Sequence, residues 1–524
     1  MSYGLPCFIS HHQPVPDAYV PVIKMHFSGI PIDLVCARLA LARVPDDLEL
    51  KDDNLLKNLD ERCIRSLNGS RVTDEILRLV PNIPAFRIAL RCVKLWAKRR
   101  AVYSNMMGFL GGVAWAMLVA RICQLYPNAC AGAIVSKFFR IVYQWKWPQP
   151  ILLKNIEGGP LQVRVWNPKL YPADKAHRMP IITPAYPSMC ATHNVTQSTH
   201  EIMKVEFNRA DGIINEIMTK KTDWSELFSK HDFFMHYRYY LQVIATSDSA
   251  EMQLKWAGMV ESRIRQLVMK LEGVPNLILA HPFIKGFEKV YQCSTDQEAL
   301  DVAHGVYNPV ATVPSEVTHR EGSVEVDGLE LVNRTVYSTT FYIGLLIEPR
   351  GGEYWTGLAF SGVIFILFYE CDLLSSDGVT GPRKLDITWP AQEFCKLVKA
   401  WDKYDENSMA IVVKSIKSSQ LPLDTLEEGE QQPKKLKRAK STSKSKTSSS
   451  KRLKSSANTH RDHLVPTLTA RSETSMSTYS DGSQASGTDG SGSTLVEEPS
   501  ISLNGSGLRG KDEVLTAQLM MNSP

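Results

Sequence analysis

Four basic residues, Arg87, Arg91, Lys94 and Lys98, fall at i, i+4, i+7 and i+11 within AFRIALRCVKLWAKRR (85–100). A helix would set them in one stripe, opposite an apolar stripe of Phe86, Leu90, Val93 and Ala97. Such a basic stripe reads either as a solvated face or as a surface for phosphates. Two neighbours favour phosphates. Tyr103 can stack on a base, and the glycine loop GFLGG (108–112) ends where a second helix begins near Val113. Gly111 and Gly112 leave room for close backbone approach, and the helix start presents free N–H groups to an anion. GFLGG does not follow the Walker pattern, so its glycines alone are a weak signal. A second chemical feature is a single carboxylate, Asp33, inside FSGIPIDLVCARLAL (27–41), which otherwise has the residues of a buried strand. An unpaired buried carboxylate is costly, so Asp33 either points into solvent or holds something positive, such as a metal ion. A third is Asn68-Gly69 in SLNGSRVTDEIL (66–77). That stretch reads as a turn running into a helix capped by Thr73, with Asn68 chemically important only if it faces a nucleotide.

The elements that must position these groups follow from periodicity. Residues 17–80 read as strands and short turns, with PVIKMHF (21–27) and GIPIDLVCARL (29–39) joined by a hairpin turn or bulge at Gly29 and Pro31. From about 81 to 230 the pattern is helical, and VAWAMLVARICQLY (113–126) is so apolar that it belongs at a centre. Between 231 and 416 a helix over 256–272 alternates with strand-like STTFYIGLLIE (338–348) and MAIVVKSIK (409–417), which suggests a compact α+β module. Residues 306–333 read as a loop insertion. From 418 to the end, Ser, Thr, Lys and Gly dominate and a disordered tail is expected.

Composition bounds the classes. With 524 residues, 44% hydrophobic, the chain is long enough for several domains with sizeable cores, and a net charge of +5 says little at this length. Ten scattered cysteines without a CxxC pair read as reduced thiols of an intracellular protein, and argue against a disulfide framework or a zinc site. MSYGLPCFISHHQP has neither the basic start nor the apolar core of a signal peptide. The strongest apolar run, SGVIFILFY (361–369), is about half the roughly 20 residues that cross a bilayer, so a soluble chain is expected.

Six blocks, in order along the chain, carry a family resemblance. They are PVPDAYVPVIKMHFSGIPIDL, SLNGSRVTDEILRLVPN, KLWAKRRAVYSNMMGFLGGVAWAMLVARICQLYPNA, WPQPILL, MPIITPAYPSMCATHNVTQST and WAGMVESRIRQLVMKLE. This sequence resembles the eukaryotic nuclear poly(A) polymerases, most of all the fungal ones, over roughly 14–300, then 338–348 and 384–421. The resemblance implies an α+β protein with a truncated nucleotidyltransferase palm (14–80) and a helical central domain (81–230). An RNA-recognition-like RNA-binding domain (231–417) and a disordered tail (418–524) would follow. It implies a polynucleotide adenylyltransferase that extends RNA 3′ ends from ATP without a template. Such an enzyme would act in the nucleus as a monomer within the cleavage and polyadenylation complex, with no membrane partner. Carried over by position, Asp33 resembles a metal-binding catalytic carboxylate that also meets the nucleotide. Lys94 would lie at the triphosphate and Tyr103 at the base. Asn68, Asn105, Gly112 and Val113 would be further ATP contacts, and Lys24 and Asn194 would lie near the growing RNA end. Two Mg²⁺ (or Mn²⁺) ions would activate the 3′ hydroxyl and steady the departing pyrophosphate.

The chain also departs from the family pattern. The resemblance implies two further carboxylates in a Gly-Ser…Asp-x-Asp block upstream of Asp33, and nothing before Asp17 has that pattern. An N-terminally truncated sequence is the expectation, and the alternative reading is a catalytically impaired RNA- or partner-binding fragment of the same fold. A second departure, at 349–383, separates IGLLIEP from KLDITWPAQEF, which the family joins by a short turn. Its apolar run suits a retained intron better than a surface hairpin. In the tail, PKKLKRAK (433–440) and SKRLKSS (450–456) have the spacing of a bipartite nuclear import signal.

Overall fold

A computed structural model of the chain describes residues 9–16, 20–159, 161, 163–306, 334–348, 359–360, 363–364, 385–422 and 425. The expected 306–333 loop lies almost wholly outside these residues. So do the basic tail clusters and most of 349–383, where only β8 (Ala359–Phe360) and β9 (Val363–Ile364) are described, paired antiparallel.

At the N-terminal end β1 (Ile9–Val15), β2 (Val22–Phe27) and β3 (Ile30–Val35) form an antiparallel sheet in that order. The hairpin expected at Gly29 forms, because Ser28 and Gly29 both take positive φ, 51° and 77°, as a two-residue turn that matches strand twist requires. Register sets Lys24 directly opposite Asp33. No residue of β2 or β3 is buried, so Asp33 takes the solvent-facing option.

The expectation of strands and turns up to residue 80 fails beyond the hairpin, where α1 (Glu61–Leu79) runs unbroken through Asn68-Gly69. Val72 and Ile76 bury one face of that helix, and their packing outweighs the local turn preference of Asn-Gly. The cap is Asp60, which accepts from the Cys63 N–H at 2.8 Å. Thr73 does not cap. Its hydroxyl donates back to the Gly69 carbonyl, four residues earlier, at 2.9 Å. Arg71, also buried, donates to the carbonyls of Leu50 (2.5 Å) and Asp52 (3.1 Å) and pairs with Asp53, tying the preceding segment onto α1.

Helices form in the region expected to be helical. They are α2 (Ile83–Arg99), α3 (Gly112–Leu125), α4 (Ala131–Gln144), the short α5 (Pro172–Lys175), α6 (Gln197–Met218) and two single turns, α7 (Trp224–Leu227) and α8 (Phe233–His236). Between α4 and α6, however, the described chain holds only the short α5 among turns and irregular backbone, and α8 lies just beyond residue 230. Helix α3 is central: every residue from Ala114 to Ala120 is fully buried. Around it Trp96, Trp115, Phe138, Phe139 and Phe207 pack with ring centroids 4.7–6.4 Å apart, mostly edge to face.

The C-terminal α+β module contains β4 (Tyr239–Ser247), α9 (Ala250–Leu271), β5 (Leu277–Pro282), β6 (Phe287–Cys293), α10 (Asp296–Ala303), β7 (Arg334–Ile347), α11 (Thr388–Lys399) and β10 (Met409–Lys417). Its antiparallel sheet runs β10-β4-β7-β5, with β6 also on β7. Leu241, Val243, Phe341 and Ile343 look into the main core shared with α9 and α11. Phe233, Phe234, Tyr237, Tyr240 and Tyr342 form an aromatic cluster on the opposite face, closed by Leu421. RNA-recognition folds stack bases on exposed sheet aromatics. In this sheet Tyr240 and Tyr342 are covered, so that face is closed to bases.

Candidate nucleotide site

The site is built on the loop from Arg100 to Gly111, between α2 and α3. Its entry is clamped by a buried ion pair. The Arg100 guanidinium donates to both carboxylate oxygens of Glu206 on α6 at 2.8 and 3.0 Å and to the Ser229 carbonyl at 2.9 Å, with both side chains almost wholly out of water. The loop body is equally fixed. Met107, Phe109 and Leu110 are fully buried, Tyr103 and Leu110 bridge backbone to backbone, and the Trp115 indole N–H donates to the Leu110 carbonyl at 3.2 Å. Gly108 has φ 90°, and a Cβ there would come within 3.0 Å of the Asn194 carbonyl and 3.3 Å of Thr199. Glycine is required on both counts.

The basic stripe of α2 is not a solvated face along its whole length. Arg91 is exposed and Arg87 half-buried, but Lys94 is buried. Burial, and secondarily the neighbouring charge of Lys98, lowers the Lys94 ammonium to about 8. Burial also lowers Lys98. Both ammonium groups lie over the Tyr103 ring, at 5.8 Å for Lys94 and 5.5 Å for Lys98 from its centroid. Burial raises the Tyr103 phenol to about 12, so it stays neutral. Two cations held partly out of water gain most from a dense negative charge brought against them. The N-terminus of α3 adds to this, since Gly111 offers no side-chain cap to its first turn.

The remaining expected residues fall into three places. Asn105 packs against Gly111, its Cβ 3.2 Å from where a Gly111 Cβ would stand, which puts Asn105 beside Gly112 and Val113 at the start of α3. The Asn194 amide donates to the Asn105 carbonyl at 3.1 Å, while its own Oδ1 is buried without a partner among the described residues. With one amide N–H engaged, the free Oδ1 of Asn194 offers an acceptor, which suits a hydroxyl or amine. Lys94, Tyr103, Asn105, Gly112, Val113 and Asn194 thus gather around one loop. Asn68 stands on α1, which packs on α3, and its Oδ1 is likewise buried and unpartnered among the described residues. Lys24 and Asp33 stand on the β2–β3 hairpin, paired in register, and the Lys24 charge acts on Glu261 of α9. Lys98 shared the stripe but was not singled out from it, and Arg100 and Glu206 carried no sequence signal, because their pairing spans 106 residues.

Asp33 is the one expected metal ligand, and among the described residues no group of three or more His, Cys, Asp or Glu side chains could hold a metal ion. The described residues therefore do not fit a two-ion centre. Among them, no helix is long and apolar enough to cross a membrane.

Comparison with known proteins matches three family models. These are the poly(A) polymerase nucleotidyltransferase domain over 8–80, the poly(A) polymerase central domain over 85–230, and the poly(A) polymerase predicted RNA binding domain over 232–356 and 372–435. The stretch the last one skips, 357–371, falls inside the expected interruption at 349–383. A poly(A) polymerase of Schizosaccharomyces pombe is 54% identical over 435 residues, covering 80% of this chain and 72% of that protein. One from Candida albicans is 50% identical over 422 residues, covering 80% and 70%. A poly(A) polymerase of Dictyostelium discoideum is 41% identical over 451 residues, covering 85% and 48%. Coverage of this extent, through all three matched segments, leaves one conclusion: the chain belongs to the poly(A) polymerase family.

Proposed function

We propose that this chain is a polynucleotide adenylyltransferase that transfers AMP from ATP to RNA 3′ ends, without a template, and so builds poly(A) tails in mRNA 3′-end processing. The observation that carries the reading is similarity to poly(A) polymerases along most of the chain, with an intact cation-and-aromatic loop at the positions expected to meet ATP. Lys94, seconded by Lys98, neutralises the triphosphate and then the departing pyrophosphate, for which a compact ammonium is suited. Tyr103 offers its ring to adenine. Asn105, Gly112 and Val113 line the start of α3, whose backbone N–H groups take up phosphate oxygens, and Asn68 supplies a further acceptor. Asn194 accepts a hydrogen bond from a sugar hydroxyl, and Lys24 attracts the primer backbone. Bases do not stack on the closed aromatic face of the C-terminal sheet.

Poly(A) polymerase nucleotidyltransferases use ATP and divalent metals. Mg²⁺ or Mn²⁺ is the ion we assign, with Asp33 as one carboxylate able to meet it. The described residues offer no fuller ligand set. The division into palm (14–80), central (81–230) and RNA-binding (231–417) domains is part of the same reading. So are action as a monomer in the nucleus and association with cleavage and polyadenylation proteins, supported by family membership and by the basic clusters at 433–440 and 450–456. Primer extension tests the assignment. The full chain, given an oligo(A) primer, a divalent ion and each nucleoside triphosphate singly, extends the primer with ATP. Equal extension with UTP or CTP would contradict it.

A further inference from the structure

Glu272 terminates α9 of the C-terminal module, yet its carboxylate serves a different helix. Oε1 accepts from the Ser198 backbone N–H at 2.7 Å, and Oε2 lies 3.4 Å from the Gln197 N–H, so the acid sits on the first turn of α6. That turn already has its local cap in Thr196, whose hydroxyl accepts from the Thr199 N–H. A second, charged cap from elsewhere in the fold adds a carboxylate to the positive end of a 22-residue helix. The Ser198 hydroxyl accepts from the Ala280 N–H on β5 at 3.1 Å, a second tie to the same module.

What this turn carries gives the contact its meaning. Asn194 lies two residues before the cap and donates to the Asn105 carbonyl within the nucleotide loop. Thr199, fully buried in the turn, stands 3.3 Å from where a Gly108 Cβ would be, so the loop rests on it with no spare space. The first turn of α6 is thus the seat of the loop that holds Tyr103 against Lys94 and Lys98. We propose that Glu272 is a positioning residue for the nucleotide site. Its carboxylate fixes the first turn of α6 and, through Asn194 and Thr199, the loop that receives ATP. This inference rests on the nucleotide reading above.

The test is calorimetric titration of the full chain with ATP, wild type against Glu272→Ala, Glu272→Gln and Glu272→Asp, with thermal unfolding of each measured in parallel. Glu272→Ala is expected to weaken ATP binding about tenfold, the scale of one lost charged cap. Glu272→Gln, which keeps a neutral acceptor, falls between, and Glu272→Asp, which keeps the charge, returns affinity toward wild type. Should Glu272→Ala fail to fold, Glu272→Gln decides. Unchanged ATP affinity in the folded variants, even with lowered melting temperatures, would overturn the positioning role and leave only a structural cap. A wild-type chain that does not bind ATP would instead overturn the nucleotide site itself, so the two failures are distinguishable.

Discussion

In the loop between α2 and α3, Met107, Phe109 and Leu110 are fully withdrawn from water, whereas no residue of β2 or β3 is buried. Both regions carry residues expected to act on the same substrates. The loop fixes its groups by packing: an Arg100–Glu206 clamp at its entry, a glycine seat against Thr199 and an indole hydrogen bond at its exit. The hairpin fixes Asp33 only by register, opposite Lys24. The contrast teaches that a polyanion site depends on cations already positioned and partly desolvated, a condition only the loop meets. A carboxylate on an exposed ladder acquires its role only from what is later placed beside it.

The largest effect expected from breaking this contrast lies at the clamp. Arg100→Met leaves Glu206 charged and buried, and should lower unfolding free energy by about 3–5 kcal/mol in urea titrations. A loss below about 1 kcal/mol would mean the loop entry is not held as described.

Proton linkage at Lys94 comes next, and its two consequences have opposite signs. Burial depresses the folded-state value to about 8 from the usual 10.5. Between those values the unfolded chain retains a proton that the folded chain has lost, so the Lys94 contribution makes stability rise with pH across that window. In the proposed ATP site Lys94 acts as the ammonium, so ATP affinity should fall as pH rises above about 8, by up to about tenfold per pH unit while the lysine deprotonates. Burial lowers Lys98 as well, and it contributes in the same direction. ATP titrations on either side of pH 8 read the effect, and Lys94→Ala should flatten most of it.

Asn194 sharpens the geometry. Asn194→Ala removes one hydrogen bond to the Asn105 carbonyl and should weaken ATP binding about fivefold, on the scale of roughly 1 kcal/mol for such a bond. Asn194→Asp sets a carboxylate oxygen against that carbonyl and should cost more than the alanine does. The reverse order would mean that the asparagine amide is not oriented toward Asn105. The smallest effect belongs to the hairpin. Asp33→Asn should alter stability by no more than about 0.5 kcal/mol, as expected of an exposed site, and leave metal-free ATP affinity unchanged.

How far the sequence foretold this depended on the range of the forces involved. The β2–β3 turn was legible because Ser28-Gly29 decides it locally. Helix α2 was legible because one-sided burial writes a 3.6-residue period into the chain, and α3 because burial on all sides leaves an almost unbroken apolar run. The Asn68-Gly69 turn was misread for the complementary reason: Val72 and Ile76 take their cue from packing, which overrode a local signal. The cationic stripe was visible, but the gradient along it, from exposed Arg91 to buried Lys94, depends on what covers the helix. The Arg100–Glu206 clamp and the Glu272 cap join residues 106 and 74 or more positions apart, and no pattern in either local segment announces them.

In the proposed function, Lys94 and its loop form an ATP site before any other substrate arrives. The most direct test is titration of the full chain with ATP, without RNA, beside Lys94→Ala. Loss of a buried charge-assisted contact predicts roughly 30-fold weaker binding in the variant, at unchanged or slightly higher melting temperature because a desolvated cation has been removed. Equal ATP affinity in the two proteins would contradict it.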